Sequence, residues 1–265
     1  MRRSPVLSSV AFVPYLFYFI PVPILFPTPA RADRGVETFK QAFQDAAARP
    51  VTEIVPATAG DEVTAFGFAL AWCGAGVRDE TVLIFATDDA HAEYGAPYPP
   101  GLCQFGLDAA RLLHVRTHAL KDGLWACEQA LTLPRMRVLC IVPQNGRMTL
   151  TATRRLHLAA EKSGASCVLL RFDPLSPSAA WTRWRVRAAP SHGGAAELGM
   201  PRFIATLVRR RNAPSGQSWL LEWNAHEHAF TEPQQISSAA GHALAGPVAA
   251  AASYGPAEAQ RCHTG

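Results

Sequence analysis

The sequence predicts an α/β fold: a three-layer α/β/α domain with a mostly parallel central sheet and a C-terminal antiparallel extension. Three observations predict it. Between residues 50 and 172, short aliphatic runs alternate with stretches of helical apolar spacing, the pattern of strand–helix–strand crossovers that cover both faces of a sheet. From 181 to 223, three strand-like runs follow with no helical stretch between them, which calls for antiparallel pairing. Apolar residues make up 49% of the chain and charged ones 17%. That is enough apolar surface for a core and too little charge for a disordered polymer.

Residues 51–55 read as the first strand, and 63–73, rich in Ala, Phe and Leu, as the first helix. The second strand is 81–86. A polar loop spans 87–100, with Gly95, Pro97, Pro99 and Pro100 as breakers. The third strand is 112–116, and the helix 121–133 carries Leu124, Cys127, Ala130 and Leu131 on one stripe. The fourth strand is 138–142. In the helix 152–163, Thr149 or Thr151 can cap the start, Leu156, Ala159 and Ala160 form the apolar stripe, and Gly164 ends it. The fifth strand is 167–171. In 181–187, Trp184 and Val186 alternate with Arg183, Arg185 and Arg187, so one face is apolar and the other cationic. Strands at 203–209 and 218–223 flank a turn at 212–216.

The flanks differ in composition. Residues 1–32 form an apolar N-terminal extension, in which Arg2 and Arg3 precede an uncharged run from Ser4 to Ala30, closed by the Ala-x-Ala triplet Ala30-Arg31-Ala32. That order resembles a secretory signal, but Pro14, Pro21, Pro23, Pro27 and Pro29 interrupt it. A membrane helix would lose several hydrogen bonds to those prolines. We read 33–49 as a linker, 50–230 as the domain and 231–265 as a flexible Ala/Gly/Pro-rich tail. Six cysteines are scattered without a Cys-x-x-Cys pair, which suits buried thiols in a reducing compartment. A net charge of +4 is too mild to specify a nucleic-acid partner.

The run Leu-Thr-Ala-Thr-Arg-Arg-Leu at 150–156, with Leu-Ala-Ala-Glu at 158–161, Leu-Leu-Arg at 169–171 and Ala-Ala-Trp-Thr-Arg-Trp-Arg-Val at 179–186, resembles the ImuA family. Further matching segments lie at 67–70, 100–102, 106–108, 112–116, 199–203 and 219–223. Their order and spacing carry the resemblance, which runs from about Pro50 to about Phe230. It implies a RecA-like domain and a role as accessory factor in the translesion mutasome induced by DNA damage. The partners it implies are the recombinase RecA, an inactive Y-family polymerase homologue (ImuB-like) and a DnaE-type error-prone polymerase. It also implies a cytoplasmic protein, with export through residues 1–32 as the alternative.

A RecA-like core normally holds nucleotide phosphates in the turn after its first strand. That needs a glycine-rich loop, a lysine and a Ser or Thr for magnesium. Here the turn is a degenerate P-loop, Pro56-Ala-Thr-Ala-Gly60-Asp61-Glu62, with no lysine between residues 41 and 120. Two unit charges near 4 Å at an effective dielectric of about 20 interact by roughly 4 kcal/mol, so Asp61 and Glu62 oppose a triphosphate. They suit a helix N-terminus instead. The fourth strand runs into Pro143 without the acid that would hold magnesium. The expectation is a protein without ATPase chemistry and without a cofactor.

Other constellations are weaker. Asp88, Asp89, His91 and Glu93 crowd the edge where parallel sheets place ligands, in residue types that suit a metal or a solvated loop. His226-Glu227-His228 offers two ligands, too few for zinc. His192 beside Ser191 defines no triad. The arginines are the main contact candidates: Arg154, Arg155, Arg183, Arg185, Arg187, Arg209 and Arg210, with Trp184 as aromatic surface. Arginine beside tryptophan can meet an acidic protein surface or single-stranded DNA. Rival readings are a SulA-like cell-division inhibitor and a nucleotide-binding enzyme with a non-standard site at Asp88 or Asp89.

Overall fold

A nine-stranded sheet carries the fold, in the order β3-β2-β4-β5-β1-β6-β7-β8-β9. The computed structural model describes residues 37–76, 79–172, 177–191 and 199–233. Strands β1 (Val51–Pro56), β2 (Thr81–Thr87), β3 (Leu112–Thr117), β4 (Met136–Val142), β5 (Ser166–Arg171) and β6 (Thr182–Ala189) are mutually parallel. The antiparallel part is β7 (Arg202–Arg210), β8 (Ser218–Asn224) and β9 (Ala229–Thr231). This is the mostly parallel α/β sheet with an antiparallel extension that the sequence predicts, with one shift. β6 was expected in the extension, but it pairs parallel to β1, Ile54 opposite Trp184. β6 lies on the other side of β1 from β5, and ahead of it the Ala179 amide donates to Thr153 Oγ1 at 2.9 Å.

Helices form the two outer layers. One core packs α1 (Phe39–Ala47) and α2 (Glu62–Gly74) on the sheet, through Phe39, Phe68 and Trp72 against Ile54, Leu170 and Trp184. The other packs α5 (Leu120–Ala130) and α6 (Leu150–Ser163), through Cys127 and Leu156 against Val138, Cys140 and Leu169. Successive strand residues feed opposite layers, which is why the central strands read as continuous apolar runs. Thr149 caps α6 by accepting from the Ala152 amide at 3.2 Å, and Gly164 ends it in the left-handed conformation at φ 75°.

Two segments differ from the sequence reading. The stretch read as a linker, 33–49, contains α1. Thr38 and Gln41 form a reciprocal capping box at its start, and Phe39, Ala42 and Ala46 are buried. The stretch read as a polar loop, 87–100, contains α3 (Asp88–Tyr94) and the start of α4 (Pro99–Gln104). Thr87 caps α3 through the Ala90 amide, and the prolines that looked like breakers open α4, where a missing amide costs nothing. The extension 1–32 and nearly all of the tail 231–265 lie outside the described residues. Among the described residues no helix is long and apolar enough to cross a membrane.

Candidate functional site

The turn between β1 and α2 occupies the carboxyl edge of the parallel sheet, where an open α/β fold receives ligands. Its amides are already engaged. Asp61 Oδ2 accepts from the Thr58 amide at 3.1 Å and from Thr58 Oγ1 at 2.6 Å. Asp61 Oδ1 accepts from the Ala188 amide at 3.2 Å, tying the turn to β6. Glu62 Oε2 accepts from the Gly60 amide at 2.6 Å, and Gly60 takes φ 104°, which only glycine adopts without strain. The chain's own carboxylates therefore sit on donors that a phosphate loop would leave for its ligand. Beside them, Gln144 Nε2 lies 3.5 Å from Glu62 Oε1, just beyond the end of β4 and Pro143. Pro56 ends β1 half-buried.

The acidic cluster after β2 does not assemble a metal site. Asp88 accepts from Arg116 Nε at 2.6 Å and lies 3.4 Å from His118 Nδ1. The Arg116 hydrogen bond holds the Asp88 carboxyl below its ordinary range. Asp89 reaches Asn145, and His91 stacks on His114 at 5.5 Å between ring centres. No group of three or more His, Cys, Asp or Glu among the described residues is placed to hold a metal. His226 and Glu227 sit in the β8–β9 turn, where Asn224 Oδ1 accepts from both their amides. His192 lies outside the described residues.

The arginine set divides. Trp184 is fully buried, in contact with Trp72 and Trp219 at 5.5 and 5.6 Å between ring centres, so it offers no surface to a partner. This corrects its reading as a contact residue: β6 turns its apolar face to the α1–α2 core. Arg183 binds the buried carboxylate of Glu53 at 2.6 Å. Arg209 donates to the carbonyls of Ser178 at 3.0 Å and Ala180 at 2.7 Å. Arg210 clamps Glu37 and Asp45, both at 2.8 Å. These three hold the fold together. Arg155 pairs with Glu128 of α5 while staying exposed. Arg154, Arg185 and Arg187 are exposed and face solvent. Trp181 carries the Arg49 guanidinium at 4.5 Å over its ring.

The sequence reading missed two features. The first is the buried ion-pair cluster of Glu53, Arg171 and Arg183, signalled only by a lone charge in each of two apolar strands. The second is an apolar cavity of about 560 Å³ beside the β1–α2 turn, lined by α2, α3, α4 and the ends of the parallel strands. No local motif announces it, since its walls come from segments far apart in the chain.

No family model matches the chain. Two curated proteins do: Protein ImuA of Caulobacter vibrioides, strain NA1000 / CB15N and strain ATCC 19089 / CIP 103742 / CB 15. Each is 33% identical over 161 residues, which is 56% of this chain and 65% of the relative. Over that span the chain is similar to ImuA. It covers slightly less than two thirds of the length of those ImuA proteins. Among solved structures, the RadB recombinase superposes with a TM-score of 0.45 at 15% identity, over 67% of this chain and 89% of that one. The ImuA relationship agrees with the resemblance carried by the motifs in 150–187.

Proposed function

We propose that this chain is a non-catalytic RecA-like adaptor of the translesion mutasome induced by DNA damage. The observation that carries the reading is the β1–α2 turn: Asp61 and Glu62 accept from Thr58 and Gly60 of the turn at 2.6 to 3.1 Å, and no lysine stands in it. A triphosphate entering there would meet two carboxylates and lose the amides that usually cradle it. A domain built this way recruits proteins rather than hydrolysing nucleotide. The ImuA relationship supports the choice of process, and the partners it suggests are RecA, an ImuB-like inactive Y-family polymerase homologue and a DnaE-type polymerase. The protein works in the cytoplasm, where those partners act. Of the arginine candidates, Arg154, Arg185 and Arg187 are exposed and available for contact with an acidic protein surface or DNA.

The test is affinity purification of the full chain from cells treated with a DNA-damaging agent. At least one of the three partners is expected to co-purify. Recovery of none of them, from cells in which all are expressed, contradicts the adaptor reading.

A further inference from the structure

The cavity beside the turn opens at the carboxyl edge of the sheet. Ile84 and Ile141 line its base, and Gly67, Leu70, Tyr94 and Leu102 line its walls. Its volume of about 560 Å³ is ample for one or two large side chains. The ionisable groups within it give an anion nothing to bind. Arg202 is held by Glu222. Burial, with the nearby His91 and Arg116, keeps His114 below its ordinary value, so its imidazole is neutral at pH 7.

Two further observations define the occupant. The apolar lining continues outward: Val63 is 73% exposed and Tyr98 is 70% exposed, and both belong to the cavity wall. A small metabolite would leave that outer surface uncovered and find few polar groups to orient it, whereas a peptide seats anchors inside and covers the rim with its flanks. Carboxylates flank the mouth: Glu62 and Glu93 directly precede the lining residues Val63 and Tyr94, and Glu93 is exposed. Burial first, then Glu93 and Glu62, push the Tyr94 phenol up to about 12. Neither Glu62 nor Glu93 has an ion-pair partner among the described residues.

We propose that this cavity docks a linear peptide of a partner protein, with bulky apolar side chains seated between α2, α3 and α4 and Lys or Arg beside them facing Glu62 and Glu93. The proposal rests on the adaptor reading and names the kind of segment by which a partner is held. Opposite charge at the rim accelerates encounter and fixes direction, while the buried anchors supply most of the affinity.

The test uses the full chain and three labelled synthetic decapeptides, read by fluorescence anisotropy. The first has a central Leu-Phe pair flanked by lysines, the second has aspartate flanks, and the third has Ala in place of Leu and Phe. The first is expected to bind at least tenfold tighter than either of the others. Gly67→Leu, which fills the cavity, should weaken it at least tenfold. Gly67→Ala serves as the control, because its Cβ would meet Phe105 and Phe203 at an ordinary 3.8 and 3.9 Å. Glu93→Lys, a change at an exposed position, should weaken the lysine-flanked peptide severalfold, and it decides the matter if Gly67→Leu does not fold. Equal binding of all three peptides, no binding, or indifference to Gly67→Leu and Glu93→Lys overturns the proposal, as does saturable uptake of the neutral dye Nile red with no peptide discrimination. If the wild type co-purifies with mutasome partners and Gly67→Leu does so equally, the cavity reading falls and the adaptor reading stands. If the peptides are discriminated but no mutasome partner co-purifies, the adaptor's assigned process falls and the docking site stands.

Discussion

Arg171 Nη1 donates to Glu53 Oε1 at 2.8 Å, and both side chains are fully buried. The other oxygen of Glu53 accepts from Arg183 Nε at 2.6 Å. One carboxylate thus faces two guanidiniums across β5, β1 and β6, at the middle of the sheet. Removing charges from water costs several kcal/mol each, and only good geometry offsets that. The cluster also marks the register, since Glu53 and Arg183 are direct neighbours in the β1–β6 pairing.

Glu53→Gln is expected to destabilise the protein by about 3–5 kcal/mol, because it removes the charge of a fully buried carboxylate that both Arg171 and Arg183 bind. Urea denaturation measures it. A loss below about 1 kcal/mol would mean that the cluster is solvated in solution.

Gly74 closes α2 against the backbone of Phe105, just after α4. A Cβ at Gly74 would overlap the Phe105 carbonyl oxygen, and a backbone atom cannot swing aside. Gly74→Ala should therefore cost roughly 1–3 kcal/mol by overpacking. Because α4 forms one wall of the cavity, the same variant should alter peptide anisotropy, whereas Gly67→Ala should leave stability within about 0.5 kcal/mol.

Arg210 ties α1 to β7, donating to Glu37 and Asp45. Burial raises the Asp45 carboxyl, but hydrogen bonds from Arg49 and Arg210 outweigh it and the folded value falls below 3.8. A depressed carboxylate stabilises the fold above its unfolded value, and that contribution is lost as pH falls through the folded value. Arg210→Met should cost about 2 kcal/mol near neutrality, the worth of charge-assisted bonds in a partly buried site. Thermal melts should show its deficit shrinking as pH falls from the unfolded value near 3.8 through the lower folded value, beneath which Asp45 is protonated in the folded wild type. A deficit unchanged with pH would assign the loss to packing of the arginine stem.

Calorimetric titration of the purified chain with magnesium and ATP is expected to give no saturable binding, since Asp61 and Glu62 hold the donors of the turn. Asp61→Asn should not create binding, because no lysine is supplied. A magnesium-dependent isotherm would contradict the non-catalytic reading.

The alternating strands and helices from Val51 to Arg171 were legible because buried parallel strands are written as short continuous apolar runs, and α6 because Thr149 and Gly164 bracket it. α1 was not legible. Only two of its nine residues are large and apolar, Phe39 and Phe43, and what holds it is Phe39 among Trp184, Trp219 and Phe230, partners distant in the sequence. α3 and α4 were hidden because Pro99 reads as a breaker in isolation and as a helix start in context.

The sequence by itself determined the layered α/β class and a β1–α2 turn with two carboxylates and no lysine. Both follow from local facts: the period of apolar residues, and which charges stand in one turn. Only the tertiary structure decided which arginines are free. Arg183 and Arg187 share one cationic pattern in β6, yet Arg183 meets the carboxylate of Glu53 and Arg187 is exposed. A neighbouring strand settles that difference, since a counter-charge across the sheet is invisible to any window along the chain. The cavity is decided the same way, because its walls come from segments far apart in sequence that meet only when the chain has folded.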